Sequence, residues 1–102
     1  MIRVIFSQRA QREIDVAAEY YDTQAQGLGL SFISEVEDTS NHIAETPKIY
    51  QISYKNFRKA PLERYPFSLF YTIEGDTAVV HAVFDDRQDP AKRPWDWTKL
   101  PL

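Results

Sequence analysis

The stretch that decides the fold is FSLFYTIEGDTAVVHAVF, at residues 67–84. Phe67, Leu69, Tyr71 and Ile73 recur at every second position, which is the period of a β-strand with one apolar face. The turn signal Glu74-Gly75-Asp76 follows, and residues 77–84 are again rich in β-forming side chains. The stretch therefore predicts an antiparallel β-hairpin.

Two helices are predicted upstream of this hairpin. The first, roughly residues 8–25 after an N-cap at Ser7, has an apolar face formed by Ala10, Ile14, Ala17, Ala18 and Tyr21. The second has an apolar face formed by Phe32, Ile33, Val36, Ser40 and Ile43, and ends at Thr46-Pro47 because proline cannot continue a helix. Gly27 and Gly29 mark a tight link, so the two helices should form an antiparallel hairpin.

Further strands complete the predicted sheet. Residues 2–6 are apolar nearly throughout, which favours a strand inside the sheet beside the last strand. Residues 57–62 predict a strand that Pro61 confines to an edge or ends early. The tail from residue 89 predicts an irregular segment anchored by Trp95 or Trp97. The order is β-α-α-β-β-β, an α+β fold with a helix hairpin on a largely antiparallel sheet.

Length and composition exclude several classes of protein. The 102 residues, 43% of them hydrophobic, predict a single globular domain over residues 1–102 rather than a disordered tail. There is no cysteine, which excludes disulfides and thiolate metal sites. No apolar run approaches the ~18 residues needed to span a membrane, and the N-terminus lacks the pattern of a signal peptide. A cytoplasmic location is the expectation.

The net charge of −3 is built from opposed blocks. Residues 1–12 carry three arginines and no acid, whereas residues 13–45 carry eight acids and no lysine or arginine. Residues 46–66 are basic again, with five cations and one acid. The acidic block is interpreted as a solvated helix face, or as a surface that keeps nucleic acid to the sheet side of the molecule.

No motif for nucleotide, metal or triad chemistry is present. The sequence lacks a phosphate-binding glycine loop and a nucleophile elbow, and its two histidines, His42 and His81, have no metal-ligand spacing. No cofactor and no metal are therefore expected.

Two groups of residues leave alternatives open. Lys55, Arg58, Lys59 and Arg64 lie among tyrosines and Phe57, a pattern that suits nucleic-acid binding but also a solvated edge strand. His81 is either a hydrogen-bonded, half-buried histidine on the side of Val79 and Val83, or a general base near Arg58 or Arg64.

The order of four local patterns resembles the RelE/ParE toxin superfamily of bacterial type II toxin–antitoxin systems. The patterns are residues 17–21 (AAEYY), residues 27–29 (GLG) with Phe32, Val36, Ile43 and Pro47, residues 57–73 around Phe57-Arg58 and LERYPF, and residues 79–90 (VVHAVFDDRQDP). The resemblance spans about residues 2–97 and is strongest to the ParE-like, plasmid-stabilisation branch. It implies the same β-α-α-β-β-β fold, neutralisation by a cognate antitoxin, and operator DNA contact only through the antitoxin complex.

The resemblance implies two alternative activities, namely poisoning of DNA gyrase by ParE-like members or cleavage of mRNA on the ribosome by RelE-like members. A nuclease would use Arg58, Arg64, His81 and Arg87 as catalytic residues. However, Asp85, Asp86 and Gln88 stand where relatives often have histidine and a second arginine, and a carboxylate facing the scissile phosphate would raise the barrier. The favoured hypothesis is therefore a gyrase inhibitor without catalytic residues, and a non-toxic antitoxin-binding module is the third alternative.

Binding residues follow from this hypothesis. Arg87, Trp95 and Trp97 are predicted to contact the target, because Arg and Trp dominate protein interfaces energetically. Val16, Tyr20 and Leu30 are apolar positions outside the predicted core, and are expected to accept an amphipathic helix of the antitoxin.

Overall fold

The computed structural model describes residues 1–88, and the predictions for Trp95, Trp97 and the tail lie outside this range. The element order is β1 (Arg3–Phe6), α1 (Gln8–Gln24), α2 (Leu28–Glu45), β2 (Ile52–Tyr54), β3 (Phe57–Pro61), β4 (Phe67–Glu74) and β5 (Thr77–Asp85). Among residues 1–88 the sheet order is β1-β5-β4-β3-β2, and only the β1–β5 pair is parallel. The predicted fold, a helix hairpin on a largely antiparallel sheet, is confirmed.

The helix hairpin depends on its two predicted glycines. Gly27 has a φ of 91°, a left-handed conformation that glycine adopts without strain, and α2 begins directly after it. Gly29 lies where the helices approach closely, since a Cβ built there would be 2.5 Å from the carbonyl oxygen of Ala18. The Gly29 amide also donates a hydrogen bond of 2.8 Å to the Asp22 carboxylate. Asp22 therefore joins the helices, although the sequence placed it on the solvated side.

The Gly29→Ala variant is expected to be less stable than the wild type. Its methyl group would push the α2 backbone away from Ala18, and overpacking of this kind costs about 1–3 kcal/mol. Urea unfolding followed by circular dichroism measures the loss. The control is Leu30→Ala, an exposed change one residue away that should stay within about 0.5 kcal/mol of the wild type. Equal stability of the two variants would show that the helices are not held at this contact.

The main core lies between the helices and the sheet. The predicted apolar faces meet there, with Ile14, Phe32, Ile43, Leu69 and Tyr71 among its buried members. A smaller cluster of Phe57, Phe70 and Phe84 lies on the opposite face of the sheet. The two faces predicted for β4 are thus confirmed.

Two predictions about the sheet are corrected. β1 does pair with the last strand, but it is an edge strand and not an internal one, since Ile5 is exposed and β5 is its only strand neighbour among residues 1–88. β2 was not predicted, because three exposed residues, Ile52 to Tyr54, carry too short an alternation to be recognised. β2 makes β3 an inner strand, and Pro61 ends β3 as expected.

A β-bulge changes which side chains of β5 face the helices. Tyr71 pairs with Val80 while Phe70 pairs with Ala82, so His81 is the extra residue. Val80 and Val83 consequently both join the main core, although they are three residues apart. The prediction that His81 and Val83 share a side is wrong, since simple alternation takes no account of a bulge.

Candidate functional site

An apolar groove of about 520 Å³ lies between α1 and the ends of β4 and β5. Its lining consists of Arg12, Glu13, Val16, Ala17, Tyr20, Phe67, Val83, Phe84, Asp85, Arg87 and Gln88. We call this set of residues the α1/β5 groove. It combines apolar side chains with two arginines at its rim, the composition typical of a protein-binding surface.

Val16 and Tyr20 remain open to solvent in this groove, as predicted. Their residues are 69% and 53% exposed, and they lie one turn apart on the same face of α1. Leu30 is also exposed, at 73%, but it lies on α2 and does not line the groove. The structure thus brings Val16 and Tyr20 together with Arg87 and leaves Leu30 on a separate surface.

Arg87 is fixed at the groove rim by Asp85. Its Nε and Nη2 atoms donate to the two Asp85 carboxylate oxygens at 3.0 and 2.8 Å, a bidentate arrangement. Hydrogen bonding from the Arg87 side chain holds the pKa of Asp85 below its ordinary value. The Arg87 side chain still remains largely exposed, so it is oriented and available to a partner.

Glu13 links α1 to β5 within the groove, a contact that the sequence did not indicate. Its Oε1 accepts a hydrogen bond of 2.9 Å from the Val83 amide, next to the bulge, and its Oε2 accepts one of 3.2 Å from Arg9. Burial is the largest influence and raises the pKa of Glu13, while these hydrogen bonds oppose the rise. The sequence placed Glu13 on the wet side of α1 because its helical position alone does not reveal a strand amide beneath it.

Glu35, after Asp22 and Glu13, is the third acid that departs from the predicted solvated face. It is buried, and its carboxylate accepts hydrogen bonds from the Glu63 and Arg64 amides and from Arg64 Nε at 2.9 Å. Burial alone would raise its pKa, but the hydrogen bonds outweigh burial and the pKa lies below its ordinary value. Glu35 thereby fixes the loop between β3 and β4 and orients Arg64.

Replacing Glu35 with glutamine is expected to cost about 2 kcal/mol of stability at neutral pH, because a buried acceptor of several hydrogen bonds is lost. A depressed pKa in the folded state means that the charged carboxylate stabilises the fold above the pKa of unfolded glutamate. This stabilisation is lost as the pH falls through the lower, folded value. The difference between wild type and Glu35→Gln in urea unfolding should therefore shrink on acidification.

Glu37→Gln, an exposed change on the same helix, is the control for Glu35→Gln. It should match the wild type at both neutral and acid pH. A wild-type-minus-variant difference that stays constant with pH would contradict the assignment of Glu35.

The Arg58 side chain is hydrogen-bonded to backbone carbonyl groups. Its Nη1 donates to the carbonyl oxygens of Tyr50 and Lys48, at 2.7 and 3.2 Å. Arg58 pairs with Tyr71, a residue of the main core, so the Arg58 side chain is on the helix-covered face of the sheet. Its shown contacts are thus with the segment that leads into β2.

His81 lies on the other face of the sheet. Its Nε2 is 2.9 Å from Thr72 Oγ1 and 3.9 Å from Glu74 Oε2, and its ring packs against Phe57. Burial lowers its pKa and favours the neutral ring, with the nearby Glu74 charge opposing this. The structure agrees with the first alternative for His81, a half-buried, hydrogen-bonded histidine. The second alternative, a general base near Arg58, is wrong because β4 lies between their strands and the two side chains occupy opposite faces.

The four basic candidates for catalysis are consequently dispersed. Each arginine binds a different partner: Arg58 the Tyr50 carbonyl, Arg64 the Glu35 carboxylate and Arg87 the Asp85 carboxylate. His81 lies on the opposite face of the sheet from Arg58. Asp86 accepts hydrogen bonds from the Ser68 hydroxyl and forms an ion pair of 3.4 Å with Lys59, which is not one of the four candidates. Over the same residues, no group of three or more acidic or histidine side chains is arranged to hold a metal ion, and no helix is apolar and long enough to cross a membrane.

Comparison with known proteins identifies the family. The family model described as the ParE toxin of the type II toxin–antitoxin system, parDE, matches residues 4–90. A solved chain of the chromosomal ParDE TA system from P. aeruginosa shares the fold, with a TM-score of 0.74 at 15% identity over 83% of this chain and 96% of that chain. A search of curated protein sequences returns no match. The family match covers most of the chain, and the chain therefore belongs to the ParE toxin family of type II toxin–antitoxin systems.

Proposed function

We propose that this chain arrests growth by inhibiting DNA gyrase, and that it does so by binding and without catalysis. The observation that supports this proposal is the exposed, oriented Arg87 beside the open α1/β5 groove, in a chain whose ParE family match reaches residue 90. Arginine at the edge of an apolar surface is a frequent energetic centre of protein–protein contacts. Trp95 and Trp97 are proposed to extend this contact beyond the described residues.

The dispersed basic residues favour this proposal over mRNA cleavage on the ribosome. Cleavage requires several donors to converge on one phosphate, where they stabilise developing charge. Arg58 instead binds backbone carbonyls, and Arg64 binds Glu35 on the helix side of the molecule. Arg87, the remaining arginine of the four, is already paired with a carboxylate.

The cognate antitoxin is proposed to dock on the α1/β5 groove through apolar side chains that cover Val16 and Tyr20. These residues form an exposed stripe at a helical spacing, which suits an amphipathic partner helix. Leu30 is proposed as a separate contact on α2. Plasmid or chromosome stabilisation, a cytoplasmic site of action, and operator DNA binding only through the antitoxin complex follow from the same proposal.

Induced expression in growing bacteria tests the proposal at the level of the cell. Thymidine incorporation should fall before amino-acid incorporation, because gyrase inhibition blocks replication first. Co-induction of the neighbouring small gene should restore growth. An earlier fall in amino-acid incorporation, with cut mRNA, would instead support the nuclease, and unimpaired growth would support a non-toxic antitoxin-binding module.

A further inference from the structure

Among the described residues, β2 forms the outer edge of the sheet and has β3 as its strand neighbour. Ile52 pairs with Arg58, and the Lys59 amide donates to the Gln51 carbonyl at 3.1 Å. In an antiparallel ladder this pattern directs the amide and the carbonyl of Ile52 away from β3, toward the outer edge. The backbone of Ile52 is therefore positioned to bond an added strand.

Exposed apolar side chains accompany this backbone edge. Ile49 and Ile52 are 68% and 56% exposed, and both line a shallow hollow of about 340 Å³ with Tyr50, Gln51, Ser53, Lys59 and Pro61. The described residues of this lining include no acidic side chain. An outward backbone pair beside an apolar hollow supplies both parts of a strand-binding site, hydrogen bonds for affinity and a pocket for alternate side chains.

The segment that leads into β2 is held in place by the core. Arg58 donates to the carbonyls of Lys48 and Tyr50, and the buried Tyr71 hydroxyl donates to the Pro47 carbonyl at 2.6 Å. Three anchors within four residues fix this backbone before any partner arrives. Such preorganisation lowers the entropic cost of binding.

Charge distinguishes between the occupants that this edge could take. Lys48 and Lys55 flank β2, while Lys59, which lines the hollow, is paired with Asp86 at 3.4 Å. A second copy of the chain would bring its own Lys48 and Lys55 to the same edge, and this concentration of like charge disfavours self-pairing. We propose that the β2 edge binds an extended acidic segment of a partner protein, with apolar side chains at alternate positions. This surface is separate from the α1/β5 groove and does not rest on the proposed gyrase activity.

An NMR titration of the full ¹⁵N-labelled chain tests this proposal. The probe is a synthetic peptide of alternating glutamate and valine, and a peptide of alternating lysine and valine is its charge-reversed match. The acidic peptide should shift the amide signals of Ile49 to Tyr54 with saturation below about 1 mM, whereas the basic peptide should not. Ile52→Asp should weaken binding by about tenfold or more, since it places a carboxylate in the hollow.

Ser34→Asp, an exposed change on α2, should leave peptide binding unchanged. The proposal is overturned if the acidic peptide does not bind, or if its shifts map to the α1/β5 groove. It is also overturned if single-stranded RNA binds this edge more tightly than the peptide, or if the same amides shift with protein concentration alone. The last result would identify a second copy of the chain as the occupant.

Discussion

Val16→Asp is expected to weaken binding of the cognate antitoxin by about 100-fold or more. Val16 is largely exposed in the free protein and lines the α1/β5 groove beside Tyr20. An amphipathic helix that covered this position would bury the introduced carboxylate against its own apolar side chains, which cannot replace the lost hydration. In cells that this variant arrests, co-induction of the antitoxin should therefore fail to restore growth. Isothermal titration with the purified antitoxin gives the loss directly.

Leu30→Asp is the matched comparison for this antitoxin experiment. It introduces the same charge at a similarly exposed apolar residue, but on α2 and away from the groove. We expect a smaller loss of affinity than for Val16→Asp. Full neutralisation of the Val16 variant, with failure only of the Leu30 variant, would move the antitoxin site from the α1/β5 groove to α2.

Phe32→Ala is expected to have the largest effect on stability, with a loss of about 3–5 kcal/mol. Phe32 is completely buried between the helix hairpin and the sheet, and its ring packs against Tyr21, Tyr65 and Phe67 at centroid distances of 5.5, 5.2 and 5.1 Å. Removal of the ring leaves a cavity that three aromatic neighbours cannot close together. The free energy of unfolding of a small domain is about 5–15 kcal/mol, so this variant should lose a large part of its stability.

Phe32→Leu keeps the experiment informative if the alanine variant does not fold. It retains much of the buried volume and should lose only about 1–2 kcal/mol in urea unfolding. A stability equal to wild type for both variants would show that the helix hairpin is not held to the sheet through Phe32.

The spacing of apolar residues and the positions of glycine and proline were enough to predict most of the fold. The alternation from Phe67 to Ile73 defined the central strand and its core face, and the glycines at 27 and 29 defined the helix hairpin. These signals depend on residues close together in the chain, so they can be recognised in the sequence. β2 was missed because a three-residue strand is defined by its partner and not by its own pattern.

The candidate site was only partly accessible from the sequence. Val16 and Tyr20 were recognised because they are apolar residues outside the helix's core stripe. The charge pattern predicts solvated acids at Glu13 and Glu35, because it does not reveal their partners, which are backbone amides far along the chain. The bulge at His81 changes the direction of Val83, and no residue type in that stretch signals it. Long-range backbone geometry, which pattern does not encode, thus decides how the groove is built.

A supercoiling assay with purified DNA gyrase tests the central claim most directly. The wild-type chain at micromolar concentration should inhibit supercoiling of relaxed plasmid, and Arg87→Ala should raise the concentration required by about tenfold. Arg58→Ala alters a side chain that is bonded to the Tyr50 carbonyl of the same chain. If it remains folded, this variant should inhibit as the wild type does. Undiminished supercoiling with the folded wild-type chain, together with codon-specific cuts in mRNA on ribosomes, would contradict the account.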